Sequence, residues 1–301
     1  MKKVIALVVT YKRKEFLSKV IKGLYNQSYP INEIIIVDNN SQDGTHLLVQ
    51  EMQKECANVA LTYFNTGANL GGAGGFSYGF DIIKNKEYDY VWLMDDDLLP
   101  SPNCLSHLVK FCNNGITQPM RFNLDGSCAE ISPVKYDLSE PFIINPKKLT
   151  IQELYEKQPF HEPVEIDGVP FEGPLISKEL VDKIGKPDAR FFIFNDDLDY
   201  SIRARNNGYK IFCHPSATAT RLLVNNQGND LNSWKGYFML RNHFYILRVH
   251  GNSILVKMRP LFLTVGYFGL SILRGKTSLA LTTLKAYRDS FSLKNNDKYR
   301  P

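Results

Sequence analysis

The sequence predicts an α/β fold, a mostly parallel sheet with helices on both faces, followed by a helical C-terminal extension. Three observations predict it. Over about the first 110 residues, short β-branched apolar runs alternate with segments of helical period. Three of these runs end in polar residues, Thr10-Tyr11, Asp38-Asn39-Asn40 and Asp95-Asp96-Asp97, on the strand ends where such sheets bind ligands. After residue 232 the strand-like runs stop and the pattern is helical.

Residues 4–9 and 34–37 read as the first two strands. Between them, 15–26 carries Phe16, Val20, Ile21, Leu24 and Tyr25 at helical spacing and closes at the turn Ser28-Tyr29-Pro30. Residues 45–56 read as a second helix, 61–65 as a third strand, 75–85 as a helix, and 90–94 as a fourth strand running into three aspartates. From 118 to 170, scattered prolines without a period read as a loop-rich insertion. Order returns with 171–177, a helix over 178–184, the apolar run 191–194, a helix over 197–207 ended by Gly208, and a strand over 209–213. Residues 261–273 are apolar between Lys257, Arg259, Arg274 and Lys276. That run is short of the ~20 residues needed to span a bilayer, so it is expected not to cross. The expected division is 1–233 and 234–301.

With 301 residues, 44% hydrophobic and 22% charged, the chain is globular in composition, which excludes disordered and collagen-like classes. Cys56, Cys104, Cys112, Cys128 and Cys213 are an odd set without CxxC pairs, against a disulfide framework or zinc ribbon. The apolar run 4–9 is too short for a signal peptide, so a cytoplasmic protein is expected. The net charge of +5 is unevenly spread: residues 234–301 hold 12 basic and 2 acidic residues, net +10, leaving −5 on the body. A basic tail suits an anionic membrane, a phosphorylated ligand or nucleic acid. Nucleic acid ranks low, because the body is acidic and no RNP-like or zinc-finger motif is present.

Three segments carry chemistry. In Trp92-Leu93-Met94-Asp95-Asp96-Asp97, adjacent carboxylates at a strand end repel one another unless solvated or neutralised, and such oxygen clusters suit Mg²⁺ or Mn²⁺ with substrate phosphates. Asn69-Leu70-Gly71-Gly72-Ala73-Gly74-Gly75-Phe76 lets backbone approach a ligand before a helix N-terminus, yet matches neither GxGxxG nor a P-loop. In Asn195-Asp196-Asp197-Leu198-Asp199, three acids flank a helix start after an apolar run, where a carboxylate at a dry pocket mouth serves as a general base.

Together the chain resembles inverting family 2 glycosyltransferases of the GT-A fold, a Rossmann-like architecture, over about residues 4–245. The matching pieces are Val8-Val9-Thr10-Tyr11-Lys12-Arg13, Val37-Asp38-Asn39-Asn40-Ser41-Gln42-Asp43-Gly44-Thr45, the aspartate triplet, and Asp196-Asp197 with Arg203 and Gly208-Tyr209. The 69–76 segment and Trp234-x-x-Tyr237-Phe238-x-x-Arg241-Asn242 resemble the galactofuranosyltransferase-like and rhamnosyltransferase-like branch. The resemblance implies a nucleotide-diphosphate donor, UDP-linked, carrying a galactofuranose-, galactose- or rhamnose-like sugar, and a saccharide or lipid-linked acceptor in cell-surface polysaccharide synthesis. Residues 1–233 would bind the donor and catalyse, and 234–301 would meet acceptor, anionic membrane on the inner face, or a second copy.

Residue by residue, the resemblance implies that Asp95 and Asp97 hold Mn²⁺ or Mg²⁺ and that Asp96 lies nearer the donor sugar or ribose. Asp38 would recognise the uracil edge, and Thr10, Tyr11 and Arg13 would line the nucleoside pocket. Asn40, Asn69, Gly71, Gly72 and Arg221 complete the donor-binding set. Asp197, with Asp196 beside it, matches the base that deprotonates the acceptor hydroxyl. Trp234, Tyr237 and Arg241 would form the acceptor surface, Arg241 reaching a phosphate. Related enzymes carry a metal-ligating His where this chain has Arg221, which cannot ligate a metal but can set positive charge against a diphosphate. A nucleotidyltransferase would want a basic glycine-rich loop after the first strand, and 10–15 contains no glycine. An inactive sugar-nucleotide-binding relative would not need Asp197.

Overall fold

Strand β1 (Val4–Thr10) is buried throughout, and its side chains alternate between two cores. Val4, Ala6 and Val8 pack with Leu17, Val20 and Ile21 of α1 (Lys14–Tyr25), whereas Ile5, Leu7 and Val9 pack with Phe76, Phe80 and Ile83 of α3 (Gly71–Ile83). A strand apolar on both faces must be covered on both faces, and the helices do so. The computed structural model describes residues 1–55, 59–112, 114–143, 145–223, 231, 233–295 and 299. Cys56, and Asp297, Lys298 and Arg300 of the basic tail, lie outside the described residues.

The first half continues with β2 (Glu33–Asp38), α2 (Thr45–Glu55), β3 (Ala60–Asn65) and β4 (Tyr90–Asp95). Then come β5 (Leu98–Pro100), α4 (Cys104–Phe111) and β6 (Ile116–Phe122). The insertion is more ordered than its prolines predict: it holds β7 (Pro133–Tyr136), β8 (Lys147–Thr150), α5 (Ile151–Lys157) and β9 (Val164–Glu165), with a Thr150–Glu153 capping box opening α5. There follow β10 (Leu175–Ser177), α6 (Lys178–Ile184), a single 3₁₀ turn at Ala189–Phe191, α7 (Asp196–Asn206) and β11 (Ile211–Arg221). Three helices end the chain: α8 (Lys235–His250), α9 (Ile254–Leu273) and α10 (Thr277–Asp289).

The sheet order is β3-β2-β1-β4-β10-β6-β11-β5, with β9 beside β11 and β7-β8 forming a separate ribbon. From β3 to β4 all pairings are parallel, and β6 and β11 are parallel again. Strand β10 runs antiparallel between β4 and β6, so the stretch leading into it lies beside the carboxyl end of β4. This reversal is what assembles the site.

Two sequence expectations change. The helix expected at 75–85 starts at Gly71, so most of the glycine-rich stretch is helix rather than an open loop. Four of its glycines admit close packing: a Cβ at Gly75 would lie 2.5 Å from Val9, and one at Gly71 would strike the Phe192 carbonyl at 2.2 Å. Helix α9 starts well before the apolar run at 261, because Lys257, Arg259 and Pro260 are inside it. Its 20 residues are long and apolar enough, by length and composition, to cross a membrane, and so exceed the 13-residue run on which the sequence expectation rested. Arg259 is nevertheless buried and donates to the Ile143 carbonyl, tying this helix to the insertion.

Candidate active site

Strands β1, β2 and β4 end level, with Thr10 opposite Asp38 and Val9 opposite Asp95. The polar residues at the three carboxyl ends therefore share one rim. Asp96 is buried there and accepts from Thr10 Oγ1 at 2.8 Å, the Tyr11 amide at 3.2 Å and Arg13 Nη1 at 3.2 Å. Burial pushes its carboxyl up to about 6, against the pull of Arg13 and the Thr10 hydroxyl. Arg13 also pairs with Asp97 at 3.3 Å. Asp96 thus ties the 10–13 turn to β4.

Asp38 plays the matching part at the end of β2. It is 1% exposed and accepts from the Ser41 amide at 2.9 Å and from Tyr63 Oη at 2.6 Å. Its carboxylate holds the 38–41 turn instead of facing outward to a nucleobase, and Asn40, at φ +61°, is the half-buried residue that the turn presents. Asn69 likewise turns inward, accepting from the Gly71 amide at 2.9 Å. Gly71 is closed off by Phe192, while a Cβ at Gly72 would meet open space.

Glu172 is the residue that sequence reasoning missed. It lies just before β10, where the Gly173 amide donates to the Leu93 carbonyl at 2.9 Å, so the antiparallel lead-in sets Glu172 near Asp95. Its carboxylate pairs with Arg121 and lies 3.4 Å from Arg221 Nε. Arg121 is itself buried and grips Glu130 through Nε at 2.7 Å and Nη2 at 3.0 Å. Burial raises Asp95 well above the usual carboxylate range, and Glu172, Asp97 and Asp96 add to it. Asp97 is raised too, first by burial, with Arg13 and Arg221 opposing and Glu172 reinforcing. The one signal in the sequence was a charge inside the apolar stretch 171–177.

Across from this rim, α7 opens with Asp196-Asp197. Asp196 is buried and raised well above its ordinary value by burial and by Asp197. Asp197 is pushed up to about 6 by burial, with Glu172 raising it further and the Leu198 amide, Lys147 and Arg121 opposing. The third acid, Asp199, pairs with Arg203 at 2.8 Å and lies 2.8 Å from His250 Nε2, so it serves helix packing. Asp197 lines a cavity of about 680 Å³ with Tyr136, Lys147, Phe194, His243 and Tyr267. Burial and the nearby Arg259 lower His243 to about 4, so its imidazole is neutral at physiological pH.

The expected acceptor surface is not one. Tyr237 and Arg241 are 0% exposed. Tyr237 donates to Asp289 at 2.8 Å, and Arg241 Nη2 donates to the Arg190 and Phe191 carbonyls at 2.9 and 2.8 Å. An α8 packed between Phe192 and α10 leaves neither residue a surface for acceptor. Trp234 is half-buried beside Phe192 and Phe238. Among the described residues, no three His, Cys, Asp or Glu side chains form a metal-holding group.

The profile of Glycosyl transferase family 2 matches residues 5–155, the half of the chain that builds this rim. The chain belongs to that family. Among its relatives, galactofuranosyltransferase GlfT1 of Mycolicibacterium smegmatis is 27% identical over 270 residues, 82% of this chain and 84% of the relative. GalNAc(5)-diNAcBac-PP-undecaprenol β-1,3-glucosyltransferase of Campylobacter jejuni is 32% identical over 115 residues, 38% of this chain and 36% of its own length. A solved mannosyltransferase from Pyrobaculum calidifontis, in complex with GDP-Man and Mn²⁺, superposes with a TM-score of 0.60 at 17% identity, covering 98% of this chain and 88% of that one. This family 2 glycosyltransferase accordingly has the GT-A-like α/β architecture, with a helical C-terminal extension added to it.

Proposed function

We propose that this glycosyltransferase moves galactofuranose from a UDP-linked donor to a saccharide or lipid-linked acceptor, with inversion, in building a cell-surface polysaccharide. The observation that carries the reading is Asp197, a desolvated carboxylate in the wall of the 680 Å³ cavity, joined electrostatically through Glu172 to the acids of the donor rim. The galactofuranosyltransferase relatives support the sugar.

In the proposed reaction, Asp197 takes the proton from the acceptor hydroxyl as its oxygen attacks the anomeric carbon. The carbon–oxygen bond to the diphosphate breaks on the opposite face, and its electron pair leaves on UDP. Arg13 and Arg221 bring positive charge to the side where that pair arrives. Asn40, with Thr10 and Tyr11, forms the nucleoside end, on a turn that Asp38 holds. Asp95 and Asp97 suit a divalent ion because, with Asp96 and Glu172, four carboxylates meet here against Arg13 and Arg221, and Mg²⁺ and Mn²⁺ are commonly bound by one or two carboxylates plus substrate phosphates. Mn²⁺ or Mg²⁺ there would neutralise the leaving diphosphate.

The exposed face of α9, with Phe262, Val265 and Leu273 at 61, 65 and 84% exposure, is proposed to lie on the inner leaflet of the membrane. The flanking Lys257, Arg274, Lys276 and Lys285 suit anionic headgroups. A panel of UDP- and dTDP-sugars with Mn²⁺ or Mg²⁺, scored for nucleotide release and for product anomeric configuration, tests the donor. UDP-galactofuranose should be consumed with inversion, and replacing Asp95 and Asp97 together with Ala should abolish this and weaken UDP binding. Release from no UDP-sugar, or retained configuration, overturns the reading.

A further inference from the structure

The backbone that delivers Asp197 is strained. Phe192, Phe194 and Asn195 all take positive φ, +66°, +64° and +65°, in the four residues before α7: Phe192, at ψ −64°, sits in a tight turn that the Ile193 amide closes on the Phe191 carbonyl at 2.9 Å, and Asn195, at ψ 0°, is left-handed. Each such residue costs on the order of 1–3 kcal/mol, and a run of them persists only where its surroundings over-determine it. What over-determines it is a pair of adjacent buried side chains on α8. Asn242 Nδ2 donates to the carbonyls of Phe191, Ile193 and Phe194 at 3.1, 2.6 and 2.9 Å. Arg241 Nη2 takes the carbonyls of Arg190 and Phe191. The Phe192 carbonyl, pointing the other way, accepts from the Ala73 amide at 3.0 Å.

Every carbonyl from 190 to 194 is thereby held. The amide of Asn242 has a fixed orientation, because its Oδ1 accepts from Arg241 Nε at 2.8 Å, so its donors must face the turn. Arg241 is in turn fixed from behind by the Lys294 carbonyl and Asn295 Oδ1, and by the rings of Tyr237 and Phe238. Neither Arg241 nor Asn242 lines the 680 Å³ cavity, whereas Phe194 and Asn195 of the turn they hold do. The arrangement as a whole converges on the turn that feeds Asp196 and Asp197.

We infer that Arg241 and Asn242 are positioning residues, a clamp that holds the 190–195 turn in its positive-φ form and so aims Asp197 at the acceptor hydroxyl. The inference rests on the reading of Asp197 as general base. Loss of the clamp lets the turn relax and displaces the base, while the donor rim at β1, β2 and β4 is untouched. A displacement of about 1 Å in a reacting group can cost roughly 10²-fold in rate.

The test compares kcat, for UDP release from UDP-galactofuranose with an octyl galactoside acceptor, against UDP affinity measured calorimetrically with Mn²⁺. Asn242→Ala should lower kcat about 10²-fold and leave UDP affinity within about threefold. Adding Asn195→Gly, which adopts positive φ without strain, should restore at least about tenfold of that loss. Asn242→Ser, which keeps one donor, should fall between and carries the same comparison should the alanine variant not fold. Equal losses in kcat and UDP affinity, or no rescue by glycine, overturn the clamp. Asp197→Asn run alongside separates the two readings: normal turnover in that variant sinks the base assignment, whereas a dead Asp197→Asn with an unaffected Asn242→Ala sinks only the clamp.

Discussion

Replacing Asp197 by Asn should cost activity and add stability, in amounts that burial fixes. The folded carboxyl sits at about 6 against an ordinary value of 3.8, a rise of roughly two units. At 1.36 kcal/mol per unit that is at most about 3 kcal/mol, and discounting for the cavity's solvent and the opposing Lys147 and Arg121 leaves about 1–2 kcal/mol. The sign follows from a raised carboxylate: the folded state holds its proton longer than the unfolded chain, so stability falls as pH rises from about 4 through about 6. A neutral isostere escapes that loss. Asp197→Asn should therefore raise Tm by about 2–4 °C near pH 8, and the gain should shrink toward zero by about pH 4, read by scanning calorimetry at both pH values. Its kcat should fall about 10²–10⁴-fold, and in the wild type kcat should drop as pH falls through about 6. A Tm change of the same size at both pH values would refute the burial argument. Near-normal turnover would pass the role of base to Asp196.

Glu172→Gln removes a charge that adds to the burial raising Asp95, Asp97 and Asp197, so the acid limb of the kcat–pH profile should move to lower pH; an unmoved limb refutes the electrostatic link between the two halves of the site. Gly71→Ala puts a methyl group 2.2 Å from the Phe192 carbonyl at φ +71°, and should lower stability by about 2–4 kcal/mol in denaturant melts. On the membrane side, the protein should sediment with anionic vesicles and release in high salt, and Phe262→Asp with Leu273→Asp should abolish sedimentation. Binding indifferent to lipid charge would instead favour packing against another protein surface.

What the sequence made legible is what periodicity and strand ends encode. The unbroken apolar run of β1 announced two covered faces, and the polar residues at the ends of β1, β2 and β4 fall together because parallel strands end at the same edge. The rest depended on contacts between distant parts of the chain. Glu172 joins Asp95 only because β10 runs backwards in the sheet, and no local pattern encodes that reversal. Arg241 looked like a phosphate ligand because an Arg on an aromatic helix is ambiguous until its burial is known. The glycines at 71–75 looked like an anion cradle, although the closeness of α3 to β1 and to Phe192 explains Gly75 and Gly71.

The insertion between β6 and β10 has a consequence for how this architecture diversifies. The rim at the ends of β1, β2 and β4 comes from 10–97, and Asp197 follows on α7, yet one wall of the cavity beside Asp197, including Pro133, Tyr136, Asn145 and Lys147, is drawn from the insertion. Its two ends leave the sheet from adjacent strands, since β6 pairs directly with β10. An excursion that departs and returns at neighbouring strands can change its length and walls while the strands beneath keep their register. The cavity wall beside Asp197 is in this sense modular where residues 131–147 form it, whereas Glu172, at the far end of the same excursion, stays bound to the acids of β4 through the return into β10.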